Sequence, residues 1–291
     1  MPAIWPAAAF GARPPGAHGR RGWTDAPNIV TFAGNGEPEN DGVSMVKFDM
    51  GAAWDDAMTL VRAHLPLTGV LAGLFFFLPG IAAALLGPAP LVPPDNATPD
   101  QISTLLWEQM RQQLPWLGAV MIASTLGSIA ILRLWLARSG TSVGEALGFA
   151  FVMIPTMIIL FVVQSVLFGI AALLLIIPAL YLIGRFAAVY PLLTDRNLKN
   201  PFAALTGSWQ LTSGNGWRIA LFVILFMIAL LVITMIVGGV TGIFGPHGSF
   251  GYVIGSVINS AVSAAFGLLN TAVLAAIYRQ LAVRTAGEVF Q

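Results

Sequence analysis

From residue 66 onward, long apolar runs alternate with short polar stretches, and the runs have the length of a bilayer crossing. A helix needs about 20 apolar residues to traverse a hydrocarbon core of about 30 Å. Such runs span roughly Pro66–Gly87, Pro115–Ala137, Trp217–Val240 and Tyr252–Leu281. A longer block, Leu147–Leu193, would make a helix of about 70 Å, twice the membrane. It must fold back, and Gly169 is the expected turning point. The pattern therefore predicts an all-α integral membrane fold with six transmembrane helices.

Shorter amphipathic stretches flank these runs. Trp54, Met58, Val61 and Leu65 fall within one arc at 100° per residue, which predicts a short helix lying at the interface. Asn200 is suited to an N-cap and Pro201 to the first helical position, with Phe202, Leu205 and Trp209 on one face. Gly214 can end that helix in the left-handed conformation. Ser142 with Glu145, and Thr98 with Gln101, each have the spacing of a capping box. The stretches that enter through Asp56-Ala57-Met58, Glu145-Ala146-Leu147 and Ala203-Ala204-Leu205 each precede an odd-numbered span, which suggests a threefold repeat of interfacial helix plus two spans. Trp54, Trp209 and Trp217 suit the headgroup level, and Arg196, Lys199 and Arg218 can meet anionic lipid heads.

Charge orients the pattern. With the odd loops outside, Arg111 is the only basic residue there; Lys47, Arg62, Arg133, Arg138, Arg185, Arg196, Lys199, Arg218, Arg279 and Arg284 all fall inside. Lys and Arg collect on the cytoplasmic side. The expected topology thus has both termini cytoplasmic, and a five-span alternative breaks the asymmetry.

Composition agrees with the pattern. The chain is 57% hydrophobic and 9% charged, with a mean hydropathy of +0.81. Soluble domains carry about 25% charged residues, so this chain could not cover a water-facing surface. A net charge of +1 and the lack of a basic, aromatic-interleaved stripe argue against a nucleic-acid partner. There is no cysteine, which removes disulfides and thiolate metal sites.

Residues 1–44 differ from the rest. They hold six prolines and seven glycines and have no helical or strand period, so disorder is expected. Arg20-Arg21 is not followed by the apolar stretch of a twin-arginine signal. Met45 is the expected natural start, with a transmembrane domain over 45–284 and a short tail over 285–291.

The order Pro178, Arg185, Pro191, Asp195, Ala204-Leu205, Ser208-Trp209, Leu211-Thr212 and Gly214-Asn215 resembles the YciC family of bacterial inner-membrane proteins. It is also similar to the membrane domains beside some glycerophosphodiester phosphodiesterases. Pro178-Ala179 stands where that family often has Pro-Gly. The layout extends over about 46–284, and the specific residues lie within 175–218. The resemblance implies a six-span helical protein of the bacterial cytoplasmic membrane and no established activity.

Candidate chemistry is sparse. His18, His64 and His247 fall in three separate regions, and no carboxylate lies within an apolar run, so neither a metal site nor a cofactor is expected. No nucleophile–base, P-loop or HExxH motif is present, and the chain is not expected to be an enzyme. Arg185 lies deepest among the span arginines. It is a candidate for a lipid phosphate, for pairing with Asp195, or for snorkelling at the span end. In span 6, Ser256, Ser263 and Asn270 recur every seven residues beside Asn259, Ser260 and Gly267. This seam either lines a solute path or, the commoner use, lets helices approach; Gly238/Gly242 and Gly251/Gly255 have GxxxG spacing for the same purpose. Gln164 in span 3 is a candidate partner for the asparagines. Membrane lipids are the expected partners, with homo- or hetero-oligomers through the small-residue faces. The leading expectation is a non-catalytic scaffold or envelope-homeostasis factor; the alternative is a transporter or lipid-handling protein using Arg185, Gln164, Asn259 and Asn270.

Overall fold

The structure, a computed structural model, describes residues 47–137 and 140–289, with side chains to residue 282. The expected disorder of 1–44, the Met45 start and the side chains of Arg138 and Arg284 lie outside the described residues. Among the described residues every element is a helix. Six helical segments are long and apolar enough to cross a membrane, so the chain is a multi-pass membrane protein.

Span 1 is α1 (Met50–Ala72), a π-helical turn (Gly73–Phe77) and α2 (Leu78–Leu86) in one continuous rod. The π turn has a local cause. Pro79 has no N–H and its ring crowds the carbonyl four residues back, so the preceding turn widens and Leu78 N–H bonds to Gly73 O. The expected interfacial helix at 54–65 is not a separate element. It forms the first turns of α1, with Ala53, Ala57 and Leu60 buried while Trp54 and Leu65 face outward.

Span 2 is the 38-residue α3 (Pro99–Leu136), opened by the Thr98–Gln101 capping box. The loop helix and span 2 are therefore one element, and Trp107 on its outer part is 72% exposed. The Ser142–Glu145 capping box opens α4 (Val143–Val152), which packs along α3 through Ala146 and Ala150.

Spans 3 and 4 meet at Leu175, not at Gly169. α5 (Ile154–Leu174) stops, Leu175 is extended at φ −169° and ψ 150°, and α6 (Ile176–Phe186) begins. Pro178 explains the position. In a continuous helix its ring would strike the carbonyl of residue 174, but within the first turn of a new helix it displaces nothing. Gly169 stays inside α5, where a lone glycine is tolerated at about 1 kcal/mol relative to alanine.

α7 (Val189–Asp195) completes span 4, α8 (Pro201–Leu211) follows, α9 (Gly216–Gly242) is span 5 and α10 (Phe250–Val289) is span 6. α10 runs on through most of the segment expected to be a tail. Asn200 caps α8, its side chain accepting from Phe202 N–H, and Gly214 has φ +73° in the turn that follows. α8 buries Ala204, Leu205 and Ser208, so Leu205 does not share an outward face with Phe202 and Trp209. Of the proposed threefold repeat, α4 before α5 and α8 before α9 form separate helices; the first copy is merged into α1.

Contacts between distant segments define two ends. At one, Phe48 N–H donates to Asn215 Oδ1 (2.7 Å), Arg279 pairs with Asp56 (3.1 Å) and Tyr278 OH donates to Asp195 (2.6 Å). We call this the terminal end. At the other, the loop end, Tyr252 OH donates to Ala84 O (2.9 Å). α10 packs against α1, α2, α3 and α9. α6 packs on α9, and Gly184 makes that crossing close. A Cβ there would overlap Gly216 O and lie 2.6 Å from Ala220 N.

Candidate functional site

A cavity of about 670 Å³ lies between α2, α3, α9 and α10. α10 supplies its back wall through Ser256, Asn259, Ser260, Ser263, Gly267 and Asn270. These positions share one stripe because offsets of three, four and seven residues return to the same side of a helix. Ser124 and Ser128 of α3 contribute from one flank, and Gly238, Thr241 and Gly242 of α9 from the other. Pro90, Gly245 and His247 stand at the loop end. From Tyr252 to Asn270 the lining covers about 27 Å of helix at 1.5 Å per residue.

The floor is apolar. Phe76, presented by the π turn, lies against α10 at Gly267, where a Cβ would come within 2.9 Å of its ring. Behind it Leu71, Phe76, Ile131, Ala264 and Leu268 form a buried cluster. The lining thus runs from Pro90, Gly245 and His247 at the loop end to Ser128 and Asn270, with this apolar cluster against its inner part.

Hydroxyls and amides supply nearly half of the lining residues, and among the described residues it contains no Asp, Glu, Lys or Arg. Some of these groups are already bonded. Thr271 at the floor donates to Gly267 O (2.8 Å) and lies 3.2 Å from Ser128 Oγ, and Thr241 donates to Gly238 O (3.2 Å). Asn259 Oδ1 is buried without a hydrogen-bond partner. An uncharged, donor-and-acceptor surface of this kind suits a polar neutral group. A strong ion would find no countercharge.

Asn259 and Asn270 thus come together in one cavity. Gln164 and Arg185 do not join them. Gln164 Oε1 accepts from Tyr190 OH (3.2 Å), so it is not the partner of the asparagines. Arg185 lies elsewhere, its guanidinium stacked 4.1 Å over Trp209 and 5.7 Å from the Tyr181 ring. It does not pair with Asp195, whose carboxylate is held by Tyr278.

The two glycine pairs behave differently. Gly251 and Gly255 lie against Phe244 and Thr241 and bring α10 close to α9. Gly238 and Gly242 have nothing within 4 Å and serve as open cavity wall. The anchors are placed as follows: Trp54, Trp209 and Trp217 are exposed, as are Arg196, Lys199 and Arg218.

Sequence reasoning missed Ser124 and Ser128, though their spacing of four in an apolar run is the same signal that marked α10. His247, which reads from the sequence as a lone loop histidine, lines the cavity at its loop end, its ring 4.5 Å from that of Tyr252. No group of three or more His, Asp or Glu side chains suited to a metal is present among the described residues. No family model, curated protein or solved structure matches this chain.

Proposed function

We propose that this protein holds or passes a polar, uncharged molecule or headgroup through the α10 cavity, without converting it chemically. One observation carries the reading: an open volume of about 670 Å³, with hydroxyls and amides along its α10 wall, within a bundle of long apolar helices. Ligand sites typically have volumes of about 300–1,000 Å³. In a bilayer, polar groups without partners are strongly disfavoured, so such a space takes in water or a polar guest. On the order of 20 waters would fill it, at about 30 Å³ each. A pure scaffold has no use for this volume, and packing the seam against a neighbouring helix would have stabilised the fold better.

The proposal places both termini in the cytoplasm, from the basic residues at the terminal end, and the cavity mouth on the opposite side. Residence in a bacterial inner membrane, and kinship with YciC-like proteins, belong to the same proposal and rest on the motif over 175–218.

The chain has no cysteine, so single cysteines report without background. Asn259→Cys and Ser263→Cys should react, in sealed vesicles, with a membrane-impermeant maleimide added from the loop-end side. Leu268→Cys, beneath the floor, should not. In proteoliposomes, glycerol flux should fall once Asn259→Cys is labelled. Absence of labelling at both cavity positions would sink the proposal; labelling without any glycerol flux would narrow it to a holding role.

A further inference from the structure

We propose a second site, for a phosphate group, formed by Arg185 and the N-terminus of α9. It is separate from the α10 cavity and does not depend on it.

Arg185 is only 5% exposed and, among the described residues, has no carboxylate partner. Its Nε is buried with no hydrogen-bond partner. The neighbouring hydroxyls do not serve the guanidinium: Ser208 and Thr212 both donate to the Arg185 carbonyl, at 2.8 and 3.3 Å. Trp209 offers its ring face at 4.1 Å, which holds the cation in place without neutralising it. A cation withdrawn this far from water, with donors to spare, calls for an anion.

The same spot carries a second electropositive feature. α9 is 27 residues long, and no side chain caps its first turn. Asn215, at the N-cap position, has its Oδ1 engaged by Phe48 N–H. The free N–H groups and the helix dipole of that turn favour negative charge. Arg185 runs directly beside it: a Cβ on Gly216 would lie 2.8 Å from Arg185 Cδ and 2.9 Å from the Tyr181 ring. The lack of a side chain at Gly216 is what lets the arginine reach the helix end.

Phosphate fits both elements. Its oxygens can take the two-pronged guanidinium and the helix N–H groups together. Trp209 and Trp217, 42% and 55% exposed beside the site, are suited to the headgroup layer, where phosphodiesters are concentrated. The ligand chemistry is therefore a phosphate group, carried by an anionic phospholipid or free as inorganic phosphate.

The test uses the full chain in a neutral detergent, titrated in parallel with short-chain phosphatidylglycerol, a diacylglycerol of the same chain length, and inorganic phosphate. Binding is read as a saturable rise in unfolding temperature and, for the lipids, by native mass spectrometry. Phosphatidylglycerol should bind and diacylglycerol should not. Arg185→Gln should weaken phosphatidylglycerol binding by roughly tenfold or more, since it removes the charge and the paired donors that would meet the phosphate. A comparable response to inorganic phosphate supports the site and assigns it to the free anion. Arg185→Lys keeps the charge, loses the fork and should bind with intermediate affinity, which covers the case of a glutamine variant that does not fold. Wild-type affinity in the variant that folds, or no saturable response of the native chain to either phosphate probe, overturns the proposal.

Discussion

The α6–α9 crossing can be tested with one methyl group. At Gly184 an added Cβ overlaps the Gly216 carbonyl oxygen and lies 2.6 Å from Ala220 N and 2.8 Å from Ala220 Cβ. Ordinary contacts of this kind begin near 3.4 Å, and two of the three obstacles are backbone, which has no rotamer to escape into. The helices must therefore separate by about 1 Å. A gap of that size forfeits a quarter to a half of the dispersion energy of each contact it opens. Overpacking generally destabilises by about 1–3 kcal/mol, and a backbone clash belongs at the upper end, at about 3 kcal/mol. For a protein of this size that corresponds to a fall in Tm of roughly 6–12 °C. Gly238→Ala is the matched control. It makes the same substitution within a membrane helix, with nothing within 4 Å of the new methyl, and should leave Tm unchanged or slightly raised. Both variants would be melted in detergent alongside the native chain. Equal Tm values for Gly184→Ala and Gly238→Ala would refute the close crossing.

Other expectations are independent of that crossing. Asn259→Leu removes a buried oxygen that has no partner, so it should raise Tm while abolishing maleimide labelling at Ser263→Cys; a loss of stability would show that Asn259 serves packing. Tyr278→Phe deletes the 2.6 Å bond to Asp195 and should destabilise by about 2 kcal/mol in a detergent melt. Ser142→Ala removes half of a capping box and should loosen α4 by about 1 kcal/mol, read as faster amide exchange over 143–146. The Ser142 backbone N–H holds the Glu145 carboxyl below the usual carboxylate range. Its contribution is therefore complete above the unfolded value, about 4.3, and fades as pH falls through the folded one. Corrected for the intrinsic pH dependence of amide exchange, protection of α4 should fall on that acid side; protection lost instead on the alkaline side would contradict the assignment.

Much of the architecture was legible because desolvation writes a long-range signal. Runs without charge fix the number of spans, and Thr98, Ser142 and Asn200 mark helix starts because a cap needs a side-chain acceptor at a set distance from the first apolar residue. The Leu175 turn was legible in principle. Pro178 forbids a carbonyl four residues earlier, a stronger constraint than the permissiveness of Gly169. Amphipathicity misled at Trp54–Leu65 and at Phe202–Leu205–Trp209 because lipid inverts the usual reading. In a bilayer the bulky apolar side chains face the solvent, and small residues such as Ala53, Ala57, Ala204 and Ser208 make the inward face.

The site was half legible for a related reason. A period of seven in serine, asparagine and glycine says that one helix face differs from the rest, but both an open wall and a tight seam need small side chains there. Only the facing helix decides between them. At Gly251 the neighbour is the Phe244 backbone, and the residue packs. At Gly238 and Gly242 there is no neighbour within 4 Å, and the identical spacing bounds open space. Arg185 shows the same dependence on partners. Sequence gives its depth and its charge, while the distinction between a snorkelling cation and an anion site comes from Trp209 below it, Gly216 beside it and the lack of any acid within reach among the described residues. In a chain with so few ionic groups, a cation kept this far from water without a carboxylate is the strongest local argument that something outside the chain completes the structure.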